Sequence, residues 1–369
     1  MRAGLSSEQQ QYRDEVAEFT RREIAPRVEE LEQAAPGELL AVLGAAGLTG
    51  LCVPQSHGGS DRSTVDLCLA LEELASESVA IAGAGAIQNA LVAGPIASFG
   101  SSAIQESLLP GLAAGASAGC FAWQEPAHRG GTASCETLAR RTDGGFALSG
   151  VKTDVGGLAG AAFALVVAVV EGEEETDLFV VPLDASGVSS VTAGPSLTAF
   201  ASRAGQLSLD GVRVAETARI SGRDVVGSTV ARGRVAAAAI ALGVCRSVFD
   251  AAREALTAER DSGVESAQSL QFHLADMATE LDASRLLTWK AASAEAPSRA
   301  GLDAARAQLF AIDSAQRLSG LALSIAGSAG LARGRRLERQ FRAARALELL
   351  VDSRESQKRA IAAQVVDRG

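Results

Sequence analysis

The chain has 369 residues, of which 47% are hydrophobic and 21% charged, and its formal net charge is −10. This length and composition are typical of a globular protein with two or three domains and a sizeable core. The acidic balance argues against a general nucleic-acid-binding protein, because phosphate backbones require clustered cationic charge.

The cysteines, the N-terminus and the lengths of the apolar runs indicate the cellular compartment of the protein. The five cysteines are scattered and form no CxxC pair, which indicates reduced thiols rather than a metal site or a disulfide scaffold. The N-terminus is polar and lacks the apolar segment of a signal peptide. No apolar run approaches the roughly 20 residues that span a bilayer. We therefore expect a cytoplasmic protein with no metal and with neither a nucleic-acid nor a membrane partner.

The first third of the chain is predicted to be helical. Ser6 and Gln9 have the spacing of a capping box that opens a helix. Helical patterns follow over 39–51, 65–76 and 84–97. We assign residues 1–119 to an N-terminal α-helical domain.

The hydrophobic period then changes twice. Strand patterns occur over 161–170, 177–183 and 206–214, which places a middle β domain at 120–222. Helical patterns return over 229–259, 268–294, 304–325 and 337–365, enough for a C-terminal four-helix bundle at 223–369. The predicted fold class is therefore α+β and multidomain, with a helical domain, a β-barrel or β-sandwich domain and a four-helix bundle.

Three segments near the C-terminus carry a family resemblance. The Gly-containing turn GSAG at 327–330 precedes LERQFRAAR at 337–345 and LLVDSRESQ at 349–357. These segments resemble the Gly-Gly-x-Gly turn, the "VERxYRDAR" helix and the "IYEGTxxIQ" motif of the acyl-CoA dehydrogenase family. The N-terminal third is also similar, for example LGAAGLTGLCVPQSHGGSD at 43–61. The resemblance spans nearly the whole chain and implies the fold described above, FAD as cofactor and an acyl thioester as substrate.

The family segment "TEPxAGSD", which lies against the flavin, corresponds to QEPAHRGG at 124–131. Here Gln124 replaces the hydroxyl residue that contacts the ring, and Gly130 replaces the serine of the phosphate loop. An amide can still hydrogen-bond a flavin edge, a glycine allows close approach to a pyrophosphate, and Arg129 can supply phosphate charge. The resemblance implies flavin contacts from this loop and from Phe121 and Trp123 before it; the alternative is a decayed loop.

Further cofactor contacts are implied in the middle and C-terminal domains. The motif "KxWITNG" corresponds to 152–158, where Asp154 replaces the tryptophan that packs on the flavin and Gly156 replaces the threonine. Either the flavin is held differently, or the pocket beside it is reshaped. Arg260 matches an arginine that reaches the FAD pyrophosphate of a neighbouring subunit, which implies a homodimer or a homotetramer; the alternative is a solvated helix end. The remaining implied contacts are Ser324, Gly327, Ser353 and Glu355.

The catalytic base of the family is missing. The glutamate of "IYEGTxxIQ" corresponds to Val351, and in the minority of relatives whose base precedes an arginine on the first bundle helix, the matching residue is Gly233. Removal of an α-proton from an acyl thioester requires a carboxylate close to that carbon. Asp352 and Glu348 are weak candidates, because on a helix the first points about 100° away from position 351 and the second lies one turn back. A solvated face is the main interpretation for both, and the catalytic residue stays unassigned.

Loss of the base argues against α,β-desaturation, whereas an oxidation whose acidic proton is on oxygen needs a weaker base. We expect an FAD-dependent oxidation of a small oxygenated three-carbon acyl group on an acyl carrier protein. This resembles the family branch that makes hydroxymalonyl and methoxymalonyl extender units for polyketides. The alternatives are an acyl-CoA dehydrogenase with a relocated base and a flavin-free binding or scaffolding protein. The arginines from Arg333 to Arg345 could pair with an acidic partner or a phosphopantetheine phosphate, or form a solvated or intersubunit face.

Overall fold

The structure is a computed structural model that describes residues 4–126, 135–194, 196–198, 204–261, 268–294 and 297–366. The first α-helix begins at the predicted capping box. Gln9 N donates to Ser6 Oγ at 3.1 Å, and Ser6 N donates to Gln9 Oε1 at 3.0 Å. The α-helices of this domain are α1 (Ser7–Phe19), α2 (Val28–Gln33), α3 (Pro36–Ala45), α4 (Thr64–Ala75), α5 (Val79–Ala86), α6 (Gly94–Phe99) and α7 (Ser102–Ala113).

Two long helical stretches are as apolar as membrane spans. A π-helical segment, Ile87–Ala93, joins α5 to α6, so that Val79–Phe99 is a continuous helical stretch of 21 residues. The second stretch is Val225–Ala258. The expectation that no apolar run approaches a spanning length is therefore wrong. Within the described residues, however, 94% and 78% of the most apolar windows are buried in the chain, which is typical of core helices.

The middle of the chain forms a sheet of eight described strands. They are β1 (Gly119–Ala122), β2 (Leu138–Thr142), β3 (Gly145–Val155), β4 (Phe163–Val170), β5 (Thr176–Pro182), β6 (Val188–Thr192), β7 (Gly205–Ala215) and β8 (Arg219–Ile220). Their order is β6-β7-β3-β2-β4-β5-β8, and β1 pairs in parallel with β4. The two faces of β1 lie in different cores, since Phe121 packs with the helices whereas Cys120 and Ala122 pack inside the β domain. Because both faces of β1 are held by packing, the position from which the chain continues to Trp123 is also fixed.

The C-terminal part is helical, as predicted, and with the helical first domain and the sheet it confirms the predicted fold class. Its helices are α8 (Val225–Asp261), α9 (Gln268–Ala292), α10 (Pro297–Gly330), α11 (Arg336–Ala346) and α12 (Arg354–Val366). The long helix α8 packs against α10 and against α4 of the N-terminal domain. Near the middle of α8, Arg246 Nη1 and Nη2 donate to Glu73 Oε1 and Oε2 at 2.5 and 2.7 Å, a bidentate pair that joins the two helical parts.

The prediction of one helix over 337–365 is wrong. After α11 comes a short 3-10 turn, Leu347–Leu349, and α12 begins at Arg354. The intervening residues lack glycine and proline, so local sequence does not explain the break. The cause is tertiary, because the carbonyl of Val351 and the side chain of Asp352 bind groups on other elements. The helical angles expected for Asp352 and Glu348 therefore do not apply.

Candidate active site

Three parts of the chain converge beside the break before α12. The indole Nε1 of Trp123 donates to the carbonyl oxygen of Val351 at 3.0 Å, and Gln124 Nε2 donates to the same oxygen at 2.7 Å. Thr153 N, near the end of β3, donates to Gln124 O at 2.9 Å. We call this meeting point the junction: the ends of β1 and β3, residues 350–353, and the part of α8 that faces them. Trp123, Gln124 and Val351, which the sequence placed at the site, are thus brought together.

The wall of the junction at the family base position is apolar. A Cβ built on Gly233 would lie 3.2 Å from Val351 Cγ2 and 2.5 Å from Leu91 Cδ2. Val351 and Leu91 are 4% and 3% exposed. The two positions at which the family resemblance implies the base are therefore neighbours in the fold, and both lack a carboxylate. Leu91 was missed from the sequence, in which it is one apolar residue among many in 79–99.

Asp352 is engaged by a buried cation. Its Oδ2 accepts from Arg234 Nη2 at 2.6 Å and from Nε at 3.2 Å, and its Oδ1 accepts from Gln357 Nε2 at 3.3 Å. The side chain of Asp352 is 0% exposed. The interpretation of this residue as part of a solvated face is wrong, because the chain leaves helical geometry and turns the carboxylate onto α8. With both oxygens bound, Asp352 is not placed to take a proton from a substrate.

Arg234 is the counter-charge of Asp352, and this pairing was not predicted from the sequence. It lies in the apolar segment VARGRVAAAAIAL at 230–242, where a buried arginine requires an anionic partner. This requirement is the one feature of the sequence that predicts an anionic partner for Arg234. The partner is 118 residues away in the chain, so the sequence does not indicate which acidic residue it is.

Glu348 is oriented by a different pair of residues. Its Oε1 accepts from Gln316 Nε2 at 3.0 Å and from Arg354 Nη2 at 3.4 Å. Its side chain is 41% exposed. The carboxylate is thus at the surface but held between α10 and the start of α12, and these contacts do not place it at the junction wall.

A buried ion pair anchors the loop that carries Gln124. Lys152 Nζ lies 2.7 Å from Glu125 Oε1, and the two side chains are 0% and 4% exposed. The carboxylate also accepts from Thr137 Oγ1 at 2.6 Å, Thr137 N at 3.0 Å and Glu136 N at 2.6 Å. Burial alone raises the pKa of Glu125, but Lys152 and these hydrogen bonds more than offset it and hold that pKa at about 2. The network fixes the residue that follows Gln124.

Other implied cofactor residues lie near the junction. Asp154 is half-buried and has φ +52, a left-handed conformation that is uncommon outside glycine, at a register shift of β3. Gly156 follows in a half-buried turn. Ser353 Oγ accepts from Ser356 N at 3.3 Å, and Glu355 is exposed in the first turn of α12. Phe121 packs in the helical core.

The remaining implied contacts are not brought to the junction by the described residues. Ser324 and Gly327 are exposed at the end of α10, and Ser324 Oγ donates to Gly320 O at 3.2 Å. Gly327 has φ 60 and ψ −149, which kinks α10. Arg129 and Gly130 lie outside the described residues, as does the side chain of Arg260.

Comparison with family models decides the affiliation. The model "Acyl-CoA dehydrogenase, N-terminal domain" matches residues 6–116, and "Acyl-CoA dehydrogenase, C-terminal domain" matches residues 221–366. The chain belongs to the acyl-CoA dehydrogenase family. It is 30% identical to a probable acyl-CoA dehydrogenase, YngJ, of Bacillus subtilis, over 98% of this chain and 99% of that protein. It is also 30% identical to benzylmalonyl-CoA dehydrogenase of Aromatoleum aromaticum, over 92% of each chain.

Solved structures confirm the fold. Glutaryl-CoA dehydrogenase from Mycobacterium smegmatis superposes with a TM-score of 0.89 at 25% identity, covering 99% of this chain and 96% of that one. Butyryl-CoA dehydrogenase from Megasphaera elsdenii shares the fold, with a TM-score of 0.85 at 24% identity over 98% of this chain and 99% of that one. These comparisons confirm the acyl-CoA dehydrogenase fold that the sequence predicted.

The cofactor of the family is FAD, and a glutaryl-CoA dehydrogenase structure from M. smegmatis is a complex with FADH2. Residues at the junction fit a flavin edge. The second N–H and the carbonyl oxygen of the Gln124 amide have no partner among the described residues, although Gln124 is only 7% exposed. The unused N–H and oxygen of this amide can hydrogen-bond a planar polar ring.

Proposed function

We propose that this family member is a cytoplasmic, homo-oligomeric FAD-dependent oxidoreductase that oxidises a small oxygenated acyl group carried on an acyl carrier protein. The pathway we propose is the synthesis of hydroxymalonyl or methoxymalonyl extender units for polyketides. The observation that carries the proposal is the apolar contact of Val351, Gly233 and Leu91. A wall of hydrocarbon at the base position does not support removal of an α-proton from carbon.

The proposed reaction is an alcohol-level oxidation. The C–H bond of the oxygen-bearing carbon breaks with loss of a hydride, the hydroxyl proton goes to water, and a C=O bond forms. Bound FAD supplies the two-electron acceptor. Because the departing proton is on oxygen, no carboxylate is needed beside the carbon, which is consistent with the apolar wall at Val351 and Leu91.

The residues of the chain hold and orient the reactants in this proposal. Gln124 would hydrogen-bond the cofactor through the half of its amide that Val351 does not use. Glu125 and Lys152 keep that amide in place from the β domain. Asp352 and Arg234 fix the segment that presents Val351 to the junction. All five therefore have positioning or binding tasks.

A spectrum of the purified protein tests this function. Oxidised-flavin absorption should bleach on anaerobic addition of a three-carbon hydroxyacyl group on an acyl carrier protein. A saturated acyl-CoA of similar size is the control and should leave the bands unchanged. A preparation that binds no flavin even after FAD is added would instead support the flavin-free alternative.

One observation favours a second candidate, an acyl-CoA dehydrogenase with a relocated base. Benzylmalonyl-CoA dehydrogenase, a relative at 30% identity, is named for a CoA thioester. The engagement of Asp352 and Glu348 by Arg234 and Gln316 counts against it. Bleaching by the saturated acyl-CoA, abolished in Asp352→Asn or Glu348→Gln, would establish this candidate in place of the first.

A further inference from the structure

The most cationic segment of this acidic chain is α11 with the turn before it. Residues 333–345 contain six arginines and one acidic residue, Glu338, a net charge of +5 in a chain of net charge −10. We call the six arginines the arginine surface; they are Arg333, Arg335, Arg336, Arg339, Arg342 and Arg345. Like charges on one helix repel each other unless anions lie close by.

The chain itself neutralises little of this charge. Arg342 Nε lies 2.6 Å from Glu338 Oε1, which is a close ion pair. The guanidinium of Arg336 approaches Glu77 and Glu254 only at 3.9 Å. Arg339 and Arg345 contact neutral oxygens instead, from Arg339 Nη1 to a backbone carbonyl at 2.7 Å and from Arg345 Nη1 to a glutamine amide at 3.3 Å.

Two members of the surface have guanidinium groups without a close partner among the described residues. Arg333 and Arg335 are exposed, and no hydrogen bond or ion pair joins either side chain to another described residue, although Arg333 acts on Glu338 at longer range. They lie on either side of Gly334, which has φ +82 and turns the chain into α11. The unpaired guanidinium groups therefore lie at the start of this helix, where the nearest carboxylates are Glu338, which accepts from Gly334 N at 3.2 Å, and Glu29, whose Oε1 would lie 3.0 Å from a Cβ on Gly334.

Exposed leucines lie at both ends of the surface. Leu331 is 63% exposed and precedes Arg333, and Leu197, from the β domain, is 52% exposed. Arg342 Nη1 donates to Leu197 O at 2.8 Å, so the β domain continues the surface beyond α11. Cationic and exposed apolar groups together fit a protein partner better than a free phosphate, which offers nothing to the leucines.

The surface leads directly to the junction. The chain runs from Arg345 at the end of α11 through the turn Leu347–Leu349 to Val351. A partner bound along α11 therefore lies beside the segment that forms the junction wall. A thioester on a flexible arm of that partner is then delivered near the proposed site, which raises its effective concentration there.

We infer that the arginine surface is the docking site for an acidic acyl carrier protein; this rests on the proposed function, in which the acyl group is carried on such a protein. A second copy of this chain is a poorer occupant where a two-fold axis passes through the surface, since +5 would then face +5. Nucleic acid is disfavoured by the chain's net charge of −10. Charge complementarity thus selects an acidic protein.

Binding of an unacylated holo carrier protein, measured by calorimetry at low salt, tests docking apart from chemistry. The double variant Arg333→Glu/Arg335→Glu should bind the carrier about tenfold more weakly than the wild-type protein. The matched control Arg140→Glu/Arg141→Glu makes the same charge change on β2, where both arginines are also exposed, and should bind as wild type. A carrier whose acidic helix residues are changed to amides should bind the wild-type protein as weakly as the normal carrier binds the variant.

Kinetics with two donors separates this inference from the proposed function. With the carrier-bound substrate, the variant should show a KM about tenfold higher and an unchanged kcat; with the same acyl group on pantetheine, both constants should match wild type. Equal weakening by the β2 control, loss of affinity only for free coenzyme A, or no carrier binding by the wild-type protein would each overturn the docking site. Carrier binding that follows these expectations without any flavin reduction would instead refute the proposed function alone.

Discussion

Substitution of Lys152 tests how the loop that carries Gln124 is held. Lys152→Met keeps the length of the side chain but leaves the Glu125 carboxylate, 4% exposed, without its counter-charge. Removal of one partner of a buried ion pair typically costs ~3–5 kcal/mol. The pKa gives a second measure, since lowering it from 4.5 to about 2 corresponds to ~3 kcal/mol of stability, shared with the hydrogen bonds from Thr137 and Glu136. We therefore expect the variant to lose about 3 kcal/mol at neutral pH.

The pH dependence supplies the sharper readout. The pKa of Glu125 is lower in the folded protein, so its contribution is present above pH 4.5 and is lost as the pH falls through about 2. In Lys152→Met, burial is no longer opposed by the ammonium group, and the pKa of Glu125 rises. The stability difference between wild type and variant should therefore be largest at neutral pH and should narrow in acid, where the variant's Glu125 becomes neutral.

Urea unfolding followed by circular dichroism between pH 3 and 7 measures both effects. Glu125→Gln/Lys152→Met is the matched control, because it removes both charges and should recover part of the stability lost in the single variant. A single variant within ~1 kcal/mol of wild type, a deficit independent of pH, or a double variant no more stable than the single one would contradict the stabilising role of the ion pair. Weaker retention of FAD by Lys152→Met should accompany the loss, since Gln124 adjoins Glu125.

Three further outcomes are expected. Gly44→Ala should lower the free energy of unfolding in urea by ~1–3 kcal/mol, because its Cβ would lie 2.3 Å from a backbone oxygen after α7. Gly37→Ala is the control in the same helix. Its Cβ would have nothing within 4 Å, so the free energy of unfolding should be unchanged or slightly higher. Val351→Glu should create flavin bleaching by a saturated acyl-CoA, with some loss of stability; Val351→Gln is the control, and equal behaviour of the two would contradict the assignment of the base position. Trp123→Phe combined with Gln124→Leu leaves a buried carbonyl without donors, so proteolysis near 347–353 should be faster and stability lower by ~1–3 kcal/mol.

Elements whose signals are local could be predicted. The capping box at Ser6 and Gln9 is formed as expected, because both partners lie within one helical turn. The apolar run over 161–170 corresponds to β4, since its valines suit a strand buried on both faces. The strong helical period over 229–259 likewise corresponds to α8. In each case the residues that decide the structure are neighbours in the chain.

Features decided by distant contacts could not be predicted. The break before α12 depends on donors from Trp123, 228 residues away from Val351. The proximity of Gly233 and Val351 could not be predicted, because the resemblance assigns each position separately and only the fold brings the two together. Lys152 matches a family motif, yet only the fold shows that its ammonium group is buried against Glu125. The resemblance indicated which positions matter, and the packing shows what each side chain now does.

The segment from Val351 onwards supplies two of the groups that hold the junction together. They are the carbonyl oxygen that accepts from Trp123 and Gln124, and the carboxylate bound by Arg234. Domains fold in order during synthesis, starting at the N-terminus, so the helical domain and the sheet can be complete while the ribosome still holds this segment. The site then forms only after residues 351 and 352 have been made and have packed onto Trp123, Gln124 and Arg234. A polypeptide that stops before Val351 should keep much of its secondary structure yet stay colourless, with a buried arginine on α8 that has lost its counter-ion. Such a truncated polypeptide would thus be folded but lack the site, which the flavin absorption of the purified truncated protein would reveal.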